Sequence, residues 1–205
     1  MVSNLIAFVE EESVEAALNS ILPKLLPESE FQIIRFQGKQ DMLRNLMARL
    51  RGFKSWLPED WMLLVLIDRD RDDCQDLKRQ LETIATDAGF VTKSAAPCNS
   101  RFQVVNRIVI EELESWFFGD WEAVRRAYPK VPASIPAKQQ YRVPDAIAGG
   151  TWEAIERVFQ RAGYFESGLR KIELARAVAP KMDMARNTSK SFQVFRDAIQ
   201  VAASL

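Results

Sequence analysis

The sequence predicts an α/β fold: a parallel sheet flanked by helices, followed by a helical C-terminal region. Three observations carry this. Short apolar runs of strand length recur at 4–9, 31–37, 62–67 and 102–110. The segments between them switch to the i, i+3, i+4 spacing of a helix face. After a proline-rich stretch, only helical spacing remains. Strands alternating with helices imply parallel pairing through right-handed crossovers.

The first run, NLIAFV at 4–9, ends in three glutamates. From Ser13 the apolar positions Val14, Ala17, Leu18, Ile21, Leu22 and Leu25 fall on one helical face, which Pro27 closes. FQIIRFQ at 31–37 is rich in β formers. Gly38-Lys39 turns the chain into a helix over 41–54, with Met42, Leu43, Leu46, Met47 and Leu50 on one face. MLLVLI at 62–67 is apolar on both faces, as a central parallel strand is. A helix follows over 72–88, stopped by Gly89. FQVVNRIVI at 102–110 is the fourth strand, and 120–128 is helical. Four of the nine prolines lie in 129–144, a loop or linker. Helices are predicted at 151–161, 169–179 and 191–203. The expected organisation is a core over 1–128, a linker over 129–150 and a helical region over 151–205.

Composition narrows the chemistry. Of 205 residues none is histidine, which removes imidazole acid–base chemistry, Ser-His-Asp catalysis and His-ligated zinc. Cys74 and Cys98 cannot form a four-thiolate zinc site and read as free thiols of a reducing compartment. Hydrolytic chemistry would run on carboxylates, Lys or Arg, and an oxygen-loving metal. The first ten residues lack the basic region of a signal peptide, and no run reaches the ~18 apolar residues of a membrane span, so a cytoplasmic protein is expected. Basic and acidic residues number 28 each, but residues 1–100 hold 12 and 16 while 101–205 hold 16 and 12. Metal ligands in the first half and phosphate contacts in the second would suit that asymmetry.

Ligands of open parallel sheets bind at the carboxyl ends of strands. There the first strand is followed by Glu10, and the third by Asp68 and Asp70. Residues i and i+2 of an extended segment share a face, so neighbouring first and third strands would bring three carboxylates to one edge. Such a set requires a cation, and Mg²⁺ (or Mn²⁺) suits it: an oxygen-ligated ion that keeps waters for a substrate. Glu11, Glu12, Asp72 and Asp73 read as acids placed favourably at helix N-termini. No GxxxxGK[ST] loop is present, so ATP hydrolysis by the chain itself is not expected.

The order strand–Glu10–helix, then LVLIDRD at 64–70, resembles the Toprim domain of topoisomerases, primases and overcoming-lysogenization-defect nucleases. FVEEESVEAAL at 8–18, LIDRDRDDC at 66–74, ELESWFFGD at 112–120 and the SKSF segment at 189–192 are similar to landmarks of a bacterial Toprim-like family often encoded beside an ATPase in defence loci. The resemblance implies a metal-dependent nuclease with a nucleic-acid substrate and an ATPase partner. It makes Asp68 and Asp70 metal ligands, and Glu10 a ligand or acid–base group. Glu112 or Glu114 would add one more carboxylate, since a helix points the two apart. Cations for the developing phosphate charge would come from Lys39, Lys171, Arg186 and Lys190. Lys190 leads, because Ser189 and Ser191 flank it at a helix start. Trp116, Phe117 and Phe118 read as core. Two positions depart from the family pattern: Glu11 replaces the usual Gly, and Val14 stands where a second acid would be, with Glu15 one position late. Those departures favour the alternative of a non-catalytic interaction module that keeps the fold and docks on a partner.

Overall fold

The computed structural model describes residues 2–98 and 100–204. Four parallel strands, β1 (Asn4–Val9), β2 (Glu30–Arg35), β3 (Trp61–Asp68) and β4 (Val104–Val109), form one sheet in the order β2-β1-β3-β4. The two central strands are the most apolar, and every residue of β3 after Trp61 is buried. The helices are α1 (Glu12–Leu25), α2 (Lys39–Lys54), α3 (Cys74–Asp87), α4 (Glu114–Gly119), α5 (Trp121–Ala127), α6 (Thr151–Arg161), α7 (Lys171–Val178) and α8 (Lys190–Ala203).

Alternation along the strands splits the core in two. Leu5, Ala7 and Val9 of β1 join Leu64 and Leu66 of β3 in a cluster with α1 and the helices from α4 to α8. Ile6 and Phe8 join Leu63, Val65 and Ile67 in a second cluster with α2 and α3. The helices of 151–205 thus share the sheet's own core. Residues 129–150 are packed too. They contain short 3-10 turns at Ile135–Ala137, Gln139–Tyr141 and Pro144–Ala146, and bury Val131, Ile135, Tyr141 and Ile147 in the first cluster.

Local chemistry sets the element ends. α2 starts two residues earlier than the sequence pattern implies, because Gly38 holds φ 89° and enters the helix directly, while the Asp41 carboxylate accepts the Gln37 N–H. α3 starts two residues later, at the point where Asp73 caps it by accepting from the N–H groups of Gln75 and Asp76. Gly89 follows α3 with φ 88°, a conformation that glycine takes without a Cβ penalty.

Candidate functional site

β1 and β3 are neighbours, with Val9 opposite Leu66. Glu10 lies one residue past β1, and Asp68 is the last residue of β3. Both are buried, 6% and 3% exposed. The Asp68 N–H donates to Glu10 Oε1 at 3.3 Å. Strand alternation sends Asp68 to the side of Leu64 and Leu66, towards α1 and α4. Asp70 does not follow it. Its backbone is left-handed, φ 51°, and its N–H donates to the Glu111 carbonyl. The strand has ended, so the shared face expected for Asp68 and Asp70 does not form. The Asp70 carboxylate instead pairs with Lys39 Nζ at 2.7 Å, and Lys39 also holds Asp72 at 2.9 Å and the Arg69 carbonyl at 3.0 Å. Glu111, φ 62°, is ion-paired with Arg69 and shares the left-handed strain of this corner.

Glu114, at the start of α4, completes the buried acids at 1% exposed. Four carboxylate oxygens in this group have no hydrogen-bond partner: Glu10 Oε2, Asp68 Oδ1, and both of Glu114. Burial, then the charge of Asp70, pushes the Glu10 carboxyl up to about 7, against the pull of Lys39. Burial pushes Glu114 to about 7 as well, against the pull of Lys171. Asp68 rises well above the usual carboxylate range, through burial and then the charges of Glu10, Glu11 and Glu114. Two lysines balance the set. Burial opposes the charge of Lys39, but Asp70, Asp72 and Glu10 outweigh it and hold the ammonium above its ordinary value. Lys171 is held up in the same way, with Glu114, Glu11, Glu112 and Asp68 overcoming its burial.

The other predicted residues are distributed unevenly. Glu112 lies 3.8 Å from Lys171, but one of its oxygens accepts from the Trp152 N–H and the Thr151 hydroxyl at the start of α6. Arg186 is away from the acids: its guanidinium grips the buried Asp120 at 2.8 and 3.0 Å. Lys190 opens α8, but the anion bound at that helix start is the chain's own Asp145. Its carboxylate accepts from the hydroxyls of Ser189 and Ser191 and from the N–H groups of Lys190 and Ser191. The phosphate site expected there is therefore already filled, and Arg186 is already committed to Asp120. Trp116, Phe117 and Phe118 are core.

Residues 9–200 match the model of the family described as a domain of unknown function, DUF4276. The chain belongs to the DUF4276 family. No curated protein and no solved structure matches it. The DUF4276 match spans every residue of the site, from Glu10 to Lys171.

The DUF4276 site is flanked by two clefts. One, of about 770 Å³, lies between α1 and α7 and is lined by Glu11, Ser13, Lys171 and Arg176. The other, of about 410 Å³, is lined by Asp70, Glu112, Gly150 and Trp152. All-oxygen donors with unsatisfied lone pairs fit a hard divalent cation such as Mg²⁺ or Mn²⁺. Among the described residues, no three acidic or thiol side chains are already drawn together in metal-holding geometry. Sequence reasoning gave Glu11 only a helix-dipole role. It is the N-cap of α1, and it also stands in the field of Asp68, Glu114 and Lys171. Its place directly after Glu10 was the available signal.

Proposed function

We propose that this chain is a divalent-metal-dependent phosphodiesterase acting on nucleic acid, built at a Toprim-like sheet edge. The buried, unsatisfied oxygens of Glu10, Asp68 and Glu114 carry this reading. Those three would hold Mg²⁺ or Mn²⁺, which when bound activates water and offsets charge on a phosphate. Glu10 is oriented by the Asp68 N–H; burial raises its carboxyl to about 7 in the metal-free chain, so it would release its proton on taking up the cation. Lys171 and Lys39 supply positive charge on either side for a phosphodiester backbone. An ATPase partner follows from the family resemblance. A cytoplasmic setting is supported by the two free thiols, Cys74 and Cys98, and no helix among the described residues is long and apolar enough to cross a membrane.

The test compares wild type with Asp68→Ala/Asp70→Ala on supercoiled plasmid and single-stranded RNA, with Mg²⁺ or Mn²⁺. Cleavage is expected from wild type and not from the double variant. Equal cleavage by both would mean a contaminant. A second readout needs no activity: metal at 100 times its Kd should stabilise wild type by about 2.7 kcal/mol. That raises Tm by roughly 5–10 °C in a chain of this size. Asp68→Ala should show no such rise. A non-catalytic docking module is the second reading. It is favoured by the lack of a ready three-ligand group and by Lys39 engaging Asp70. Neither cleavage nor metal stabilisation in wild type would select it.

A further inference from the structure

The smaller cleft beside the acids, of about 410 Å³, has one aromatic wall. Trp152 lies in the first turn of α6 and is only half-buried, whereas Trp116 and Trp121 are core. Its backbone N–H donates to Glu112 Oε2 at 3.1 Å, and Lys171 Nζ stands 5.7 Å from its ring centre. Lys171 lines the α1–α7 cleft and not this one, so the indole and the ammonium over it stand between the two clefts. Gly149 and Gly150 add only backbone to the wall, with open space around Gly149.

The charged groups of this cleft differ in how far they are already engaged. Asp70 is held by Lys39, Glu111 by Arg69, and Glu112 by α6 and Lys171. Glu153 neither accepts a hydrogen bond nor pairs with a cation among the described residues. Its Oε2 is sealed, which leaves the other oxygen as the open acceptor of the cleft. Arg71, exposed on the same wall, also has no ion pair among the described residues. Four carboxylates line this space, so it repels a phosphate group but suits the N–H donors of a neutral ring. A cationic ligand suits it less well. Lys171 already stands over the indole, and Arg71 repels a second positive charge.

The volume falls within the ~300–1,000 Å³ of small-molecule pockets and has room for about one nucleoside. A base inside a duplex is stacked on both faces and must be extruded before it can meet a side chain. A base of a single strand offers its face freely, and aromatic side chains are the usual platforms for it. A carboxylate accepts from an exocyclic amino group, as at cytosine N4, whereas thymine turns a carbonyl to the same place. Resting on the nucleic-acid reading above, we propose that the Trp152 cleft takes one unpaired, amino-bearing base of a single-stranded substrate. The base stacks on the indole, its amino group donates to Glu153, and the adjoining phosphates lie towards Arg71 and Lys171.

The experiment uses the full chain and fluorescence anisotropy in Ca²⁺, with each probe checked on a gel for cleavage. The probes are fluorescein-labelled oligodeoxycytidine, oligothymidine of the same length, the same length of abasic deoxyribose phosphate, and a deoxycytidine–deoxyguanosine duplex. Oligodeoxycytidine should bind, and the abasic strand and the duplex should bind about tenfold more weakly or worse. Oligothymidine should fall between. Trp152→Leu should reduce oligodeoxycytidine binding to the level of the abasic strand and leave abasic binding unchanged. Trp152→Phe should keep most of the affinity, and Glu153→Gln should narrow the gap between the two pyrimidines. The rise in Tm with Mn²⁺ should be the same in Trp152→Leu as in wild type. No binding of oligodeoxycytidine by wild type would overturn the proposal. So would an abasic strand or oligothymidine that binds as well, or an arginine-rich peptide whose binding, unlike that of the oligomers, depends on Trp152. Cleavage and metal stabilisation in a wild type that does not distinguish the base-bearing from the abasic strand would overturn this inference alone. Trp152-dependent base binding with no metal stabilisation would support it and overturn the nuclease reading instead.

Discussion

Two acid sites in this molecule were built to opposite specifications. At the start of α8, Asp145 is saturated: two serine hydroxyls and two N–H groups donate to it, and the Ser191 hydroxyl in turn accepts from Trp116 Nε1 at 3.0 Å. At the end of β3, Asp68 and its neighbours Glu10 and Glu114 keep four oxygens unpartnered although they are buried more deeply than Asp145. Fold-holding carboxylates are normally satisfied, because a buried charge left open is expensive. The unpaired oxygens of Glu10, Asp68 and Glu114 are the observation behind the proposed cation site, whereas Asp145 serves the architecture. The same comparison explains why the SKSF segment, which has the composition of a phosphate-binding helix start, serves as an internal clasp.

The largest expected effect is a dependence of stability on pH. Glu10 and Glu114 have folded pKa values of about 7, against ordinary values of 4.5. Between those limits the folded chain binds more protons than the unfolded chain, so stability must fall as pH rises. The contribution is fully present below about pH 4.5 and is lost through pH 7. At about 1.4 kcal/mol per unit the loss is of the order of 3 kcal/mol for Glu114. Urea unfolding in chelator should show this decline from pH 5 to 8. Glu114→Gln should flatten it, and Mn²⁺ should reduce it at pH 8. A flat profile in the wild type would mean that burial does not raise Glu10 and Glu114 in the folded chain.

The saturated site should respond in the other way. Asp145→Ala removes one acceptor and strands several donors, two of them on buried serines. A loss of roughly 2 kcal/mol is expected, at one to three per stranded buried group with partial relief by water. Divalent cations should not restore it. Thermal unfolding with and without Mn²⁺ measures this. Rescue by metal would show that Asp145 belongs to the cation site and would collapse the comparison.

Much of this contrast could not be read from the chain. β1 and β3 announce themselves as apolar runs, and Glu10 and Asp68 stand at their ends, so that half of the site was legible. Asp70 was misplaced because nothing in LIDRD marks its left-handed turn. That conformation is fixed by its N–H bond to Glu111, 41 positions away. Glu114 reads like an ordinary first-turn acid, and only packing shows that it is sealed beside Asp68. Arg186 carries the right charge for phosphate, but its partner Asp120 lies 66 positions earlier in the chain, and the N–H groups at the Lys190 helix start are held by Asp145, 45 positions earlier. Residue type and spacing reveal which groups could bind an anion. Only tertiary structure shows which of them are already taken.

The smallest effects test the electrostatics within the open site, where two neighbours pull on Glu10 in opposite directions. Asp70 raises its pKa and Lys39 lowers it. Asp70→Asn should therefore move the Glu10 titration down, and Lys39→Met should move it up. Carboxyl carbon NMR across pH 4 to 9 reads both shifts directly. Lys39→Met should cost less than about 1 kcal/mol of stability, because its partners Asp70 and Asp72 are half-exposed, 47% and 54%, and water screens such pairs. The same variant releases the Asp70 carboxylate. At pH 8, where more of Glu10 is ionised than at pH 6, affinity for Mn²⁺ should rise. At pH 6 the tighter proton on Glu10 should cancel part of that gain. A Lys39→Met protein whose Mn²⁺ affinity is unchanged at both pH values would separate Asp70 from the cation site and leave Glu10, Asp68 and Glu114 as its whole ligand set.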